Sequence, residues 1–184
     1  MVAYPTETFY GLGVDATRED ALDQLVKLKG REPDKPFPVL VASKKQLSEY
    51  ISTIPKNVES LMERYWPGPL TLILPCGSLP SLLSNARGGV GFRISSHAIA
   101  RELPELLGKP ITSTSANRAG EPPAGSLASV RQQFRNEKNL YLLGGGSTSG
   151  SLPSTVLDFT ERPPRIVREG AIPEGSLKPY LSIT

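Results

Sequence analysis

The segment KLKGREPDKP, residues 27–36, has the residue types of an anion-binding loop. Lys29, Arg31 and Lys35 lie close together in it, and prolines restrict the backbone between and after them. Arginine offers a two-pronged donor and lysine a compact charge, so these side chains together could hold a polyphosphate. The alternative is a solvated charged loop, partly neutralised by the acidic residues between the cations.

A second set of polar side chains falls at the predicted ends of strands. Its members are Thr6, Thr8, Arg93, Ser115, Asn117, Ser154, Thr155 and Arg168. Arg93 stands between apolar neighbours, so it must either alternate outward to water or be paired inside a cavity. Hydroxyls and cations that recur at the strand ends of one sheet predict a single concave site. The segment TSTSANRAG, residues 112–120, would also suit a plain surface turn.

Several common site patterns are absent or weak. His97 is the one histidine and Cys76 the one cysteine, and no G-x-S-x-G motif occurs, which disfavours a hydrolase triad, a disulfide framework and a zinc cage. Residues 11–16 fit the glycine spacing of dinucleotide folds but do not join a strand directly to a helix, so we interpret Gly11 and Gly13 as turn residues. The G-x-x-x-x-G-K-[ST] phosphate loop does not occur.

The composition predicts one globular domain over residues 1–184. The chain is 38% hydrophobic and 21% charged, with a net charge of +3 and a pI near 9.0. That charge permits an anionic ligand without demanding one. No apolar run reaches the roughly 20 residues that cross a bilayer, and no leader is recognisable, so we expect a cytoplasmic protein without membrane contact.

Helices and strands alternate along much of the chain, and strands dominate its end. A capping-box pattern at Thr17 and apolar spacing from Ala21 predict a helix that stops at Gly30. Further helices are predicted at 43–51, 55–65, 98–107 (interrupted by Pro104) and 126–134, and strands at 1–4, 38–42, 70–74, 90–94, 110–114, 140–143, 155–159 and 165–168. This order predicts an α/β fold: one twisted mixed sheet, flanked by helices, with a basic concave cavity.

Six blocks of sequence resemble, in order, those of the threonylcarbamoyl-AMP synthases, which are YrdC-like proteins of tRNA modification, in their short single-domain form. The blocks are AYPTETFYGLG, LKGREPDKPF, WPGPLTLIL, VGFRISSH, TSTSANRAGEPP, and LPSTVLDF with RIVREGA. Each is short, but together they span nearly the whole chain.

This resemblance implies an enzyme, a nucleotidyltransferase that forms threonylcarbamoyl-AMP and pyrophosphate from L-threonine, bicarbonate and ATP. It implies that Mg²⁺ arrives with the ATP, and that downstream proteins transfer the threonylcarbamoyl group to adenosine 37 of tRNA, the t6A modification.

The resemblance also assigns residues to the two substrates. On the ATP side it places Lys29, Arg31, Lys35, Ser115, Asn117 and Arg168, with Lys29 and Arg31 as the catalytic pair. On the threonine side it places Thr8, Arg93, Ser113 and Ser154. No residue is assigned to a metal, and we expect Lys29 and Arg31 to lie on a loop outside the core.

A second class of function stays open, a non-catalytic module of the same fold that contacts tRNA or double-stranded RNA. Few aromatic residues accompany the cations, which disfavours stacking on single strands. Two departures from the family pattern stand out. Met1 begins inside the first strand, so we expect an upstream helix and part of that strand to be missing, and Ser95 and Ser96 replace the usual proline and acid, which predicts altered geometry after Arg93.

Overall fold

The computed structural model describes residues 1–30, 36–145, 148 and 151–181. Its helices are α1 (Glu19–Lys29), α2 (Lys44–Leu47), α3 (Lys56–Tyr65), α4 (Ala98–Leu107), α5 (Leu127–Gln133) and α6 (Lys178–Leu181). Its strands are β1 (Val2–Tyr4), β2 (Gly11–Gly13), β3 (Val39–Leu40), β4 (Leu70–Pro75), β5 (Gly89–Arg93), β6 (Ile111–Thr112), β7 (Thr114–Ser115), β8 (Tyr141–Leu142), β9 (Thr155–Asp158) and β10 (Arg165–Arg168).

The strands form two mixed sheets rather than the predicted single one. The first has the order β7-β2-β1-β8, and the second has the order β10-β9-β4-β5-β3-β6. The predicted α/β class with flanking helices is confirmed. The difference arises at Ser113, where the predicted strand 110–114 divides: β6 pairs with β3 in the second sheet, and β7 pairs with β2 in the first.

Strand β2 was not predicted, because its glycines were interpreted as turn residues. Ala3 pairs with Leu12 across the antiparallel β1–β2 ladder, and the Tyr4 ring covers both glycines. A methyl group at Gly13 would lie 2.8 Å from Tyr4 Cε1, and one at Gly11 would lie 3.2 Å from Tyr4 Cζ. Glycine is needed here for close packing of an aromatic ring rather than for a turn.

Helix α1 ends as predicted but begins differently. Gly30 adopts φ 60° at its C-terminus, the left-handed conformation that glycine tolerates. The predicted capping box is wrong, because the first helical residue follows Arg18, whose side chain makes no capping bond. The Thr17 hydroxyl instead donates to Asp15 Oδ1 at 2.7 Å.

Other helices follow the sequence more closely. Ser43 and Ser126 cap α2 and α5 by accepting bonds from the backbone N–H groups of Gln46 and Ser129. Helix α4 continues through Pro104 instead of being interrupted there, and the Pro104 carbonyl accepts a bond from Gln46 Nε2 at 3.0 Å. The main core packs α1 and α3 against the strands, with Leu25, Leu61 and Leu72 fully buried.

Candidate functional site

A cavity of about 650 Å³ is lined by residues from both sheets and from α1. Every residue that the resemblance assigned to a substrate and that lies within the described ranges lines it: Thr8, Lys29, Arg93, Ser113, Ser115, Asn117, Ser154 and Arg168. Of the other strand-end residues, Thr6 lines the cavity, whereas Thr155 is fully buried and does not, so the prediction that it belongs to this site is wrong. Arg31 and Lys35 lie outside those ranges. The roles assigned to all of them remain predictions, but the side chains that can be placed do share one cavity, of a volume suited to small-molecule ligands.

Lys29 lies at the last residue of α1 and is only 5% exposed, so the prediction that it sits on a loop outside the core is wrong. Its ammonium nitrogen donates to the backbone oxygens of Ser115 and Asn117 and to Asn117 Oδ1, each at 2.8 Å. An ammonium group has three protons. Its donors are therefore committed to the 115–117 segment, and a phosphate that bonds Lys29 directly must replace one of these oxygens.

The Asn117 side chain is itself fixed by further hydrogen bonds. Its amide nitrogen donates to the carbonyl oxygens of Arg118 and Glu121 at 3.1 and 2.6 Å, while Oδ1 also accepts the Ser115 hydroxyl at 2.6 Å. Both polar atoms of this side chain therefore have hydrogen-bond partners. We call Lys29, Ser115 and Asn117 the Lys29 cluster, and its bonds fix the cavity wall.

A second group, the Arg168 cluster, consists of Arg168, Ser154 and Thr71. Arg168 lies at the end of β10, and its Nη2 donates to the backbone oxygen and the hydroxyl of Ser154 at 2.9 and 3.0 Å. The Ser154 hydroxyl also lies 2.9 Å from Thr71 Oγ1. This cluster joins β10 to the central strand β4 beside the cavity.

The third group, the Arg93 cluster, contains an ion pair. Arg93 ends the buried strand β5, and its Nη2 donates to Glu7 Oε2 at 2.9 Å. The Arg93 and Glu7 side chains are 7% and 16% exposed. The Ser95 hydroxyl, fully buried, donates to the same Glu7 oxygen and accepts the backbone N–H of His97 at 3.2 Å. Pairing in a cavity, one of the two options left by the sequence, therefore holds for Arg93.

Thr8 completes the Arg93 cluster, and its proton can be located. The Thr6 hydroxyl donates its one proton to the Phe9 carbonyl at 2.7 Å, so in the 2.9 Å contact between the two threonine hydroxyls Thr8 must be the donor. The lone pairs of Thr8 Oγ1 face Arg93 Nη1 and Nη2 at 3.4 and 3.5 Å. Thr8 can therefore accept a hydrogen bond from a ligand in place of one of these long contacts, but it has no proton to donate to one.

Glu7 and Thr71 belong to the site but were not predicted. Glu7 could have been found, since a buried Arg93 needs a counter-ion and Glu7 lies between two threonines already singled out. Thr71 is a hydroxyl within the apolar run LTLIL, a signal that was available but weak. Ser95 was noted as a departure in sequence, and its bond to Glu7 is the geometry that results.

Tyr10 lines the cavity, whereas His97 and Cys76 do not. Burial raises the pKa of Tyr10, which lines the cavity, so its hydroxyl stays protonated at neutral pH. His97 precedes α4, and its Nδ1 is buried without a hydrogen-bond partner among the residues that can be placed. Cys76 is also buried and does not line the cavity, so neither His97 nor Cys76 forms part of a nucleophilic site here.

Within the described ranges, no group of three or more His, Cys, Asp and Glu side chains comes together. No helix found there has the length and apolar character needed to cross a membrane.

Comparison with known proteins identifies clear relatives. The Sua5/YciO/YrdC family model, described as "Telomere recombination", matches residues 1–170. A threonylcarbamoyl-AMP synthase of Pyrococcus abyssi is 40% identical over 94% of this chain, and the chain spans 51% of that protein's length. A threonylcarbamoyl-AMP synthase of Nitrosococcus oceani is 37% identical, with 86% of this chain and 85% of the relative covered.

A solved structure matches equally well. The crystal structure of Pyrococcus abyssi Sua5 complexed with L-threonine superimposes with a TM-score of 0.90 at 38% identity, and covers 97% of this chain and 53% of that one. The chain thus spans about half the length of the Pyrococcus abyssi protein.

Proposed function

We propose, because the chain belongs to the Sua5/YciO/YrdC family, that it forms threonylcarbamoyl-AMP and pyrophosphate from L-threonine, bicarbonate and ATP. On this proposal it is a nucleotidyltransferase that supplies tRNA modification from the cytoplasm, with other proteins transferring the product. The names of its relatives support the reaction, and the threonine complex of one of them favours an enzyme over an RNA-binding module.

The observation that carries the proposal is that Arg93 and Lys29 line one cavity, although they come from distant parts of the chain. The reaction needs an amino acid and a nucleoside triphosphate side by side, because the amine first combines with bicarbonate to give a carbamate and water. A carbamate oxygen then attacks the α-phosphorus of ATP, and pyrophosphate leaves. The two substrates must therefore share a single cavity.

The Arg93 cluster has the donors and acceptor that an amino acid requires. A guanidinium can bind the α-carboxylate, and Thr8 Oγ1 can accept a hydrogen bond from the ammonium group. We place threonine there, with Ser113 and Ser154 as its neighbours in the cavity wall.

The Lys29 and Arg168 clusters supply positive charge on the nucleotide side. Lys29 acts in two ways: its charge attracts phosphate, and its bonds hold the 115–117 segment in place. Arg31 and Lys35 would add further cations there. Charge of this kind, fixed before the substrate arrives, stabilises the charge that develops during phosphoryl transfer.

Mg²⁺ fits this site only as a partner of the nucleotide. Among the described residues that line the cavity there is no carboxylate, whereas several hydroxyl oxygens are present. Mg²⁺ commonly binds through substrate phosphates and keeps several water ligands. When bound, it would neutralise phosphate charge, while the residues of this chain orient the two substrates.

Omission of one substrate at a time tests the proposal. Pyrophosphate release should require L-threonine, bicarbonate and ATP together, and mass spectrometry should detect threonylcarbamoyl-AMP. Release that is independent of threonine, or tRNA binding with a steep salt dependence but no turnover, would instead favour the RNA-binding module.

A further inference from the structure

The charge of Arg93 is already balanced before any ligand binds. Its guanidinium lies 2.9 Å from Glu7 Oε2, and both side chains are largely shielded from solvent. Glu7 does not line the cavity, although Thr6 and Thr8 on either side of it do. Glu7 therefore contacts the guanidinium from outside the cavity, and at short range the pair carries no net charge.

Arg93 nevertheless keeps donors for a ligand. Glu7 accepts one hydrogen bond from Nη2, and the contacts to Thr8 are long at 3.4 and 3.5 Å. Nε has no hydrogen-bond partner among the residues that can be placed. A guanidinium has five N–H groups, so the Glu7 contact leaves most of them uncommitted.

This balance bears on which ligands the cluster prefers. A lone buried guanidinium would attract any anion, including bicarbonate and the phosphates of ATP, into the amino-acid position. With Glu7 beside it, a ligand of net negative charge is attracted by Arg93 and repelled by Glu7. A zwitterion instead adds an ammonium group, which Glu7 attracts and from which Thr8 can accept a hydrogen bond.

We propose that Glu7 makes the Arg93 cluster selective for a zwitterionic amino acid over a simple anion. This inference rests on the proposed function, since it concerns the threonine position of that same site. Ser95 supports the role, because its hydroxyl donates to Glu7 and keeps the carboxylate beside Arg93. Glu7 acts by its charge and by its bond to Arg93, from outside the cavity, so it is a positioning and selectivity residue and not a catalytic one.

The experiment compares two probes that differ in one group. L-Threonine and 3-hydroxybutyrate share the carboxylate and the hydroxyl, but 3-hydroxybutyrate lacks the amine and is an anion. Their dissociation constants are measured by calorimetry for the wild type, for Glu7→Gln, and for Glu161→Gln as a control. Glu161 is also a carboxylate paired with arginines, with a side chain 22% exposed, but its partners Arg87 and Arg165 do not line the cavity as Arg93 does.

The wild type should bind threonine at least about tenfold more tightly than 3-hydroxybutyrate, and Glu7→Gln should reduce that ratio by about tenfold or more. Glu161→Gln should keep the wild-type ratio. If Glu7 has only a structural role, Glu7→Gln would weaken the binding of both probes equally and leave the ratio of their dissociation constants unchanged. That result would overturn the inference. A wild type that binds no threonine would overturn the proposed function instead, so the two failures are distinguishable.

A measurement on the wild type alone covers the case in which Glu7→Gln does not fold. Acetate, a simple carboxylate anion, is added to the threonine titration at a concentration equal to that of threonine. The inference predicts no measurable displacement of threonine. Displacement by acetate at that concentration would show that the cluster does not discriminate against anions and would overturn it.

Discussion

The Lys29 ammonium nitrogen lies 2.8 Å from Asn117 Oδ1 and at the same distance from the Asn117 backbone oxygen. The Lys29 side chain therefore bonds both the side chain and the backbone of Asn117. The two residues are far apart in sequence, and the bonds join the end of α1 to the segment after β7. Lys29 consequently contributes to the fold as well as to the charge of the cavity.

Lys29→Met should therefore lower stability as well as activity. It would leave carbonyl and amide oxygens without their charged donor, at a cost of about 2 to 3 kcal/mol in the free energy of unfolding, and should abolish pyrophosphate release. Urea unfolding and a pyrophosphate assay measure the two effects. Lys27→Met, at an exposed position of the same helix, is the control and should change neither. If Lys29→Met is inactive but as stable as the wild type, Lys29 contributes to the reaction and not to the stability of the fold.

Arg93→Lys should weaken threonine binding selectively. Lysine keeps the charge beside Glu7 but cannot present a two-pronged donor to a carboxylate. We expect the KM for threonine to rise by about tenfold to a hundredfold, with the dissociation constant for ATP little changed. Steady-state kinetics and calorimetry check this. An equal loss for both substrates would contradict the placement of threonine at Arg93.

Thr71→Val removes one hydroxyl at nearly constant shape. Ser154 would lose its 2.9 Å partner beside Arg168, and we expect a cost of about 1 kcal/mol in stability and a several-fold rise in the KM for threonine. Thr53→Val, at an exposed position, provides the matched control. If the kinetics of Thr71→Val match those of the wild type, the Arg168 cluster does not depend on this hydroxyl.

Gly170→Ala should disturb the same cluster through the backbone. A methyl group there would lie 2.2 Å from the Pro153 carbonyl oxygen and 2.7 Å from that of Ser154, and backbone atoms cannot yield as a flexible side chain can. We expect a loss of about 2 kcal/mol or more in the free energy of unfolding. Gly175→Ala is the control, because a methyl group at Gly175 meets nothing within 4 Å. Similar unfolding curves for the two variants would contradict this.

Tyr4→Phe should alter the dependence of stability on alkaline pH. Burial raises the pKa of the Tyr4 hydroxyl above its ordinary value of about 10. A raised pKa in the folded state stabilises the protein fully below the ordinary value, and the contribution is lost as the pH rises towards the folded-state pKa. Wild-type stability should thus fall above about pH 10, and that of Tyr4→Phe should fall less.

Unfolding in urea at pH 8 and pH 11 measures this difference. At pH 8 the free energy of unfolding of Tyr4→Phe should be lower by about 1 kcal/mol, because the variant loses the 2.8 Å hydrogen bond to the Thr112 carbonyl. Tyr141→Phe, at an exposed ring, should follow the wild type at both pH values. If the wild type and Tyr4→Phe lose the same stability between pH 8 and pH 11, Tyr4 is not the source of the alkaline pH dependence.

The sequence predicted helix α1, most strands and the shared cavity because these depend on local patterns and on polar residues at strand ends. It did not predict β2, since nothing local indicates that Gly11 and Gly13 lie beneath the Tyr4 ring. The division into two sheets at Ser113 is likewise a matter of long-range pairing. The contact between Glu7 and Arg93 could not be predicted from local sequence either, because the two residues are far apart in the chain.

The position of Ser113 between β6 and β7 sets a limit on rearranging this chain. Because that one residue carries the backbone from the second sheet to the first and also lines the cavity, the chain cannot be opened there without detaching an edge strand from each sheet. A circular permutant with new termini at Ser113 should therefore lose the pairing of these edge strands and with it ligand binding. New termini in surface turns remote from the cavity should be tolerated.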